Sequence, residues 1–287
     1  MRQLSQHFLY DLTNGFLNEL VRAIHDDRDL DLQIRENYIN VYYKGHSMLK
    51  LDARTSQPYR VDIDKEFTRG LQIPSIISNA AQTKFFVAQI PFLKHNIQRW
   101  RKRSIEMEYE QQLIRANNYE PRLNSDYLIL DRQYTRKGDQ EGYEIDLVAI
   151  RADTAVRKGS RHASFCFIEL KYGLNQDIAQ LAQQLDDYYK RVVTNPVALA
   201  REIEMVLLQK QELGLLRENV RLDQIRISAD INQYEFLIIL IDYNLKSASF
   251  VRALESLKQL TFASQIKIFR TGLALWQDQF MPLPQLA

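Results

Sequence analysis

A chain of 287 residues has room for one large or two modest domains and a substantial core. Its 45% hydrophobic and 26% charged residues are ordinary for a soluble globular protein, and a formal net charge of +2 announces no polyanion-binding surface, so any such surface is local. One cysteine, Cys166, excludes a disulfide framework and cysteine-rich zinc sites. No apolar run reaches membrane-spanning length and no apolar leader stands near the start, so the expectation is a cytoplasmic protein without membrane contact.

In chain order, residues 7–23 carry Phe8, Leu12, Phe16, Leu20 and Ala23 at helical spacing and predict one amphipathic helix. Residues 30–34 alternate as a half-buried strand. Residues 38–43 and 47–51, joined around Gly45, predict a meander that Pro58 interrupts. Helical segments then lead to Pro91, a boundary signal. The expectation is an N-terminal α+β region over 1–92, of unknown role, and a second domain over 93–287. Residues 95–118 lack Gly and Pro and are rich in Arg, Glu and Gln, which predicts a helix. A strand follows over 126–136, and Gly138 and Gly142 bracket a turn. Next come an apolar strand around Asp146, a polar loop over 153–163, and an apolar strand over 165–173. Residues 175–193 read as a helix with Asn175 as N-cap; Pro196 interrupts it, and a second helix runs to about 218. A buried strand over 235–242, a helix over 249–260 and a strand over 266–269 complete the order.

Two of these strands carry charge where a core strand prefers Val or Ile: Asp146 in the first, Glu169 and Lys171 in the second. Buried carboxylates are costly unless paired, and a divalent cation with a lysine beside it explains all three. Alternate strand residues share a face, so Glu169 and Lys171 point the same way. If Arg151 pairs with Ser164 in an antiparallel hairpin, Asp146 falls opposite Glu169, and two adjacent carboxylates repel unless protonated or bridged by a cation. A slip of one residue breaks this pairing.

The pattern Glu144-Ile145-Asp146, a hairpin, then Glu169-Leu170-Lys171 resembles the PD-(D/E)xK nuclease superfamily, although the usual proline before the aspartate is missing, and the stretch Glu108-x-x-Gln111 to Arg115-x-Asn117-Asn118 resembles a group of uncharacterised bacterial members. The flanking elements over about 95–276 run α-β-β-β-α-(α)-β-α-β, similar to the restriction-endonuclease-like α-β-β-β-α-β core. The resemblance implies an α/β fold with a central mixed sheet flanked by helices. It also implies a Mg2+- or Mn2+-dependent nuclease that hydrolyses phosphodiester bonds, with nucleic acid as partner and DNA favoured over RNA. By the same resemblance Asp146 and Glu169 hold the metal with a first-helix glutamate. Of Glu106, Glu108 and Glu110 the least crowded by charge, Glu108, is the choice. Gln184 and Tyr188 match a Gln-x-x-x-Tyr pair of some relatives and would support the site.

In the expected mechanism a water acidified by the cation attacks phosphorus in line, while Lys171 orients or deprotonates that water or neutralises developing charge. The run Arg99-Trp100-Arg101-Lys102-Arg103 would grip phosphates, with Arg101 and Lys102 as substrate contacts. Each feature has a plainer alternative. Glu-x-Lys pairs are often surface charges, the basic run can be a solvated helix face, and an i,i+4 Gln–Tyr pair is more often packing. Tyr42, Tyr43 and Trp100 are base-stacking candidates or simply core. The five histidines show no zinc-ligand spacing, and no phosphate-binding Gly-rich loop or nucleophilic triad signature appears. An inactive nuclease-like protein that binds nucleic acid or a protein partner remains the alternative. Self-association is open.

Overall fold

The computed structural model describes residues 2–53, 58–100, 104–120, 125–135, 144–153, 156, 158, 162–173, 176–216 and 225–274. It is a mixed α/β arrangement of two five-stranded sheets flanked by helices. The expected first helix is two, α1 (Gln6–Thr13) and α2 (Asn18–Asp26). The chain turns at Gly15, where an added Cβ would lie 2.6 Å from the Asp11 Cα, so the close return needs a residue without a side chain. Phe8, Leu12, Leu20 and Ile24 still face one core.

The first sheet is antiparallel, in the order β1 (Leu30–Ile34), β2 (Tyr38–Tyr43), β3 (His46–Asp52), β4 (Tyr59–Asp62), β5 (Ile76–Ile77). The β2–β3 turn places Lys44 and Gly45 at φ 48° and 82°, the left-handed pair that a tight hairpin turn demands. β1 departs from the half-buried expectation. Leu30, Leu32 and Ile34 enter the N-terminal core, and Asp31 and Gln33 on the other face are buried as well, 1% and 0% exposed. That polar face meets the second sheet instead of water.

Helix α3 (Ala80–Trp100) continues past Pro91. Pro91 sits on its exposed side, while Phe86, Ile90, Leu93 and Ile97 form a continuous buried face that outweighs the local break. The expected boundary at 92/93 therefore falls inside one helix, and the N-terminal core also takes in Leu213 and Leu215 from far down the chain. The single helix expected over 95–118 is likewise divided. α3 ends at Trp100 and α4 spans Ile105–Ile114, closing in a π turn, Arg115–Tyr119. There Asn118 bonds both backbone groups of Ile129.

The second sheet has the order β10-β9-β8-β7-β6. β6 (Tyr127–Tyr134), β7 (Ile145–Arg151) and β8 (Ser164–Tyr172) pair antiparallel; β9 (Glu235–Ile241) and β10 (Ile266–Thr271) join parallel. One face, with Val148, Ile150, Phe165, Phe167, Ile238 and Leu240, packs under α5 (Leu181–Thr194), α6 (Pro196–Glu212) and α7 (Ala248–Lys258). The opposite face, with Leu147, Cys166, Ile168 and Ile239, carries α4 through Ile114. Pro196 opens α6 at its first position, where its missing N–H costs nothing, and Asn195 caps the helix by accepting from Ala198 N. Among the described residues no helix is long and apolar enough to cross a membrane.

Candidate functional site

The β7–β8 ladder pairs Arg151 with Ser164 and ends at Leu147 with Ile168, the register assumed above. One step further, Asp146 stands beside Glu169 at the open end of the hairpin. Alternation puts Asp146, Glu169 and Lys171 on the face that carries Val148, Phe165 and Phe167, where Glu169 and Lys171 are enclosed. Glu169 and Lys171 are only 2% and 6% exposed. Asp146 lies at the rim, partly open to solvent.

Each group has a fixed partner. Asp146 Oδ2 accepts from the Leu170 amide at 2.8 Å. Lys171 Nζ donates to Glu169 Oε1 at 2.7 Å. The Tyr188 hydroxyl, from α5, donates to Glu169 Oε2 at 2.7 Å and also meets the Glu144 carbonyl. Tyr188 thus faces the site, as expected. Gln184, one turn earlier on α5, is half-buried, and its Oε1 is enclosed without a hydrogen-bond partner among the described residues.

Helix α4 contributes its acids, but not the expected one. Glu106 Oε1 accepts from the Tyr172 amide at 3.1 Å, and its charge acts on Lys171. Glu110, 4% exposed, accepts from Arg132 at 2.8 Å and acts on Asp146. Glu108 points elsewhere. It lines a cleft of about 510 Å³ with Arg28, Asp29, Lys44, Gln112 and Arg115. The reason is helical geometry: residues four apart share a face, and the residue midway between them lies about 200° round the axis. Local charge density, the basis for choosing Glu108, says nothing about direction.

The electrostatics reflect four carboxylates sharing two cations. Burial, then Glu169 and Glu110, raise Asp146 well above the usual carboxylate range, against the Leu170 amide and Lys171. Burial lifts Glu110 to about 6 despite Arg132. Burial also works against the charge on Lys171, but Glu169, Asp146 and Glu106 outweigh it, and its pKa is raised. Tyr188 is raised by burial and by the same carboxylates, so it stays a neutral phenol.

These oxygens suit a hard cation in kind, and the upward shift of Asp146, due first to burial and then to Glu169 and Glu110, is one that a divalent ion would oppose. In the arrangement described, Lys171 and Tyr188 occupy the Glu169 oxygens. Among the described residues no three His, Cys, Asp or Glu side chains are disposed to hold a metal ion.

Of the basic run, Arg99 stacks on the exposed Trp100, its guanidinium carbon 4.7 Å from the ring centroid, while Arg101, Lys102 and Arg103 lie outside the described residues. Tyr42 and Tyr43 are buried, which leaves them core residues. Asp131 and Arg132, 1% and 0% exposed, are buried charges next to the site that the motif does not include. Their signal was the same one that marked Glu169 and Lys171: an acid and a base inside an apolar strand. Comparison of the chain with protein-family models, curated proteins and solved structures gave no match.

Proposed function

We propose that this protein is a divalent-metal-dependent nuclease that hydrolyses phosphodiester bonds, with DNA favoured over RNA as substrate, on a restriction-endonuclease-like core. The observation that carries this reading is the meeting of Asp146, Glu169 and Lys171 at one end of the β7–β8 hairpin. The element order from α4 to β10 supports it too.

Asp146 and Glu169 would hold Mg2+ or Mn2+. Such an ion supplies Lewis-acid polarisation of a phosphoryl oxygen and acidifies nearby water. The chain's own groups do the rest. The Leu170 amide fixes the Asp146 carboxylate, and the Tyr188 phenol fixes Glu169. Lys171, kept an ammonium by its carboxylate neighbours, donates to a phosphoryl oxygen and opposes the charge that builds there. A lysine held in that state is a poor general base, which favours the charge-neutralising role over proton abstraction. Enclosure of Glu169 and Lys171 lowers the local dielectric and strengthens these contacts.

The test pairs calorimetric Mn2+ titration with plasmid nicking. Wild type should bind and cut, Asp146→Ala should lose both, and Lys171→Ala should retain binding while losing at least about 100-fold in cleavage. Binding without cleavage in wild type would support the other reading, an inactive nuclease-like protein that binds nucleic acid or a partner. The closed pairing of Glu169 with Lys171 and Tyr188 favours that reading. Cleavage that survives in both variants would remove the active site from these residues.

A further inference from the structure

We propose that the N-terminal sheet seats the acidic face of α4 against the β7–β8 hairpin, and that Arg132 is the positioning residue on the Glu106–Glu110 side of that helix. β6 has a register irregularity between Ile129 and Asp131, and Gln133 takes φ 49°. Such a bulge re-aims side chains, and both Asp131 and Arg132 are here sealed from water. Asp131 turns to the N-terminal region, where Arg35 bonds its Oδ1 and Arg2 lies 2.6 Å from its Oδ2. Arg35 also donates to the Arg132 carbonyl at 2.8 Å, tying the backbone of β6 to β1.

The Arg132 guanidinium bridges the two halves. Its carbon stands 4.4 Å from the centroid of Tyr42 on β2, and Nη1 lies 3.9 Å from Asp31 Oδ2 on β1. Nη2 reaches α4, at 2.8 Å from Glu110 Oε2 and 3.4 Å from the Met107 carbonyl. Glu106, one turn before Glu110 on the same face, is thereby set against the Tyr172 amide, next to Lys171. Asp31 is itself fixed by Gln33 at 2.7 Å, and Gln33 by the buried Lys210 at 2.8 Å. A charge as deeply enclosed as Arg132 is costly without such partners; its hydrogen bonds run through Nη2, while Nε and Nη1 have no hydrogen-bond partner among the described residues. A second dock, from Gln111 to the Gly45 amide and the Tyr42 carbonyl, holds the other flank of α4.

That this seating serves cleavage rests on the reading above; the seating itself does not, and amide hydrogen exchange of the full chain without metal tests it. The Tyr172 amide is held by Glu106 of α4, whereas the Leu170 amide is held by Asp146 and does not depend on α4. In Arg132→Lys the Tyr172 amide should exchange about tenfold faster while Leu170 changes by less than about twofold. Asp31→Asn should shift Tyr172 in the same direction by a smaller factor, and the double variant should exceed Arg132→Lys by no more than about twofold. Unchanged Tyr172 exchange in the folded variants overturns the proposal. Equal acceleration of both amides does so too, because it reports general loosening. Multiplying effects of the two substitutions would deny the route through Arg132. If Arg132→Lys does not fold, Asp31→Asn decides by the same pair of amides. Failure of wild type to bind Mn2+ or cut DNA would sink the nuclease reading and leave this result standing.

Discussion

Asp146 shows how one side chain records its surroundings. Enclosure and two neighbouring carboxylates raise its pKa above the unfolded value, so the folded state holds its proton more tightly than the unfolded chain does. Stability is therefore lost as pH rises from about 4 through the raised folded value, because the ionised form is desolvated, and repelled by Glu169 and Glu110, only in the folded state. Asp146→Asn has no such titration and still accepts from the Leu170 amide. Its melting temperature relative to wild type should climb as pH rises toward neutrality. Addition of Mg2+ at neutral pH should then raise wild type and leave the variant unmoved. A gap between the two that stays constant with pH would show that Asp146 feels no repulsion. That the two acids belong to neighbouring strands was legible in the residues, but the register that sets them side by side was an assumption there, because a slip of two residues keeps both on one face. What was not legible is which oxygen is held by what: the Leu170 amide and the Tyr188 phenol arrive from separate parts of the fold.

At the scale of elements, α4 decides more than its composition suggests. Its three glutamates look alike along the chain, and rotation about the helix separates them. Glu106 and Glu110 turn to the hairpin, and Glu108 turns to the cleft with Lys44 and Arg115. Glu110→Gln should lower cleavage about tenfold or more, because it removes a charge next to Asp146, whereas Glu108→Gln should leave it within about twofold. Supercoiled-plasmid assays on the two purified variants would settle this, and the reverse ranking would mean that α4 presents its other face during turnover. The phase of a helix is set by what it packs against. Here that is Ile114 against the second sheet and Gln111 against the β2–β3 turn, neither of which local sequence reveals. The split of the N-terminal helix at Gly15 and the passage of α3 through Pro91 have the same origin. Close packing forbids a side chain at one position, and a continuous buried stripe overrides a breaker at the other.

For the whole molecule, the consequential feature is the polar seam between the two sheets. Asp31, Gln33, Arg35, Asp131, Arg132 and Lys210 are all nearly sealed from water, and burial lowers Lys210 to about 8 despite Asp31 and Asp131. Groups of this kind are tolerated only in company, and removing one side of a buried ion pair costs roughly 3–5 kcal/mol. A fragment of residues 93–287 would sever α3 and strip Asp131, Arg132 and Lys210 of Arg35, Asp31 and Gln33 together. It should fail to fold cooperatively, giving no sharp thermal transition by circular dichroism, and adding residues 1–92 in trans should not restore one. A fragment with a wild-type-like transition would show that the seam is dispensable for the second sheet.

Much was decided by the residues alone. Apolar runs of strand length bounded by turns predicted β6 to β10 and the helices that alternate with them, and Asp146, Glu169 and Lys171 marked β7 and β8 as the strands that carry charge. All of these follow from local periodicity and from the cost of leaving a carboxylate alone in a core, which any single stretch of chain expresses. The tertiary structure decided the rest: that α4 offers Glu106 and Glu110, that the polar side of β1 is buried, and that the N-terminal sheet reaches the site through Arg132. Each of these depends on which surfaces meet, and a meeting between residues a hundred positions apart leaves no trace in the periodicity of either partner.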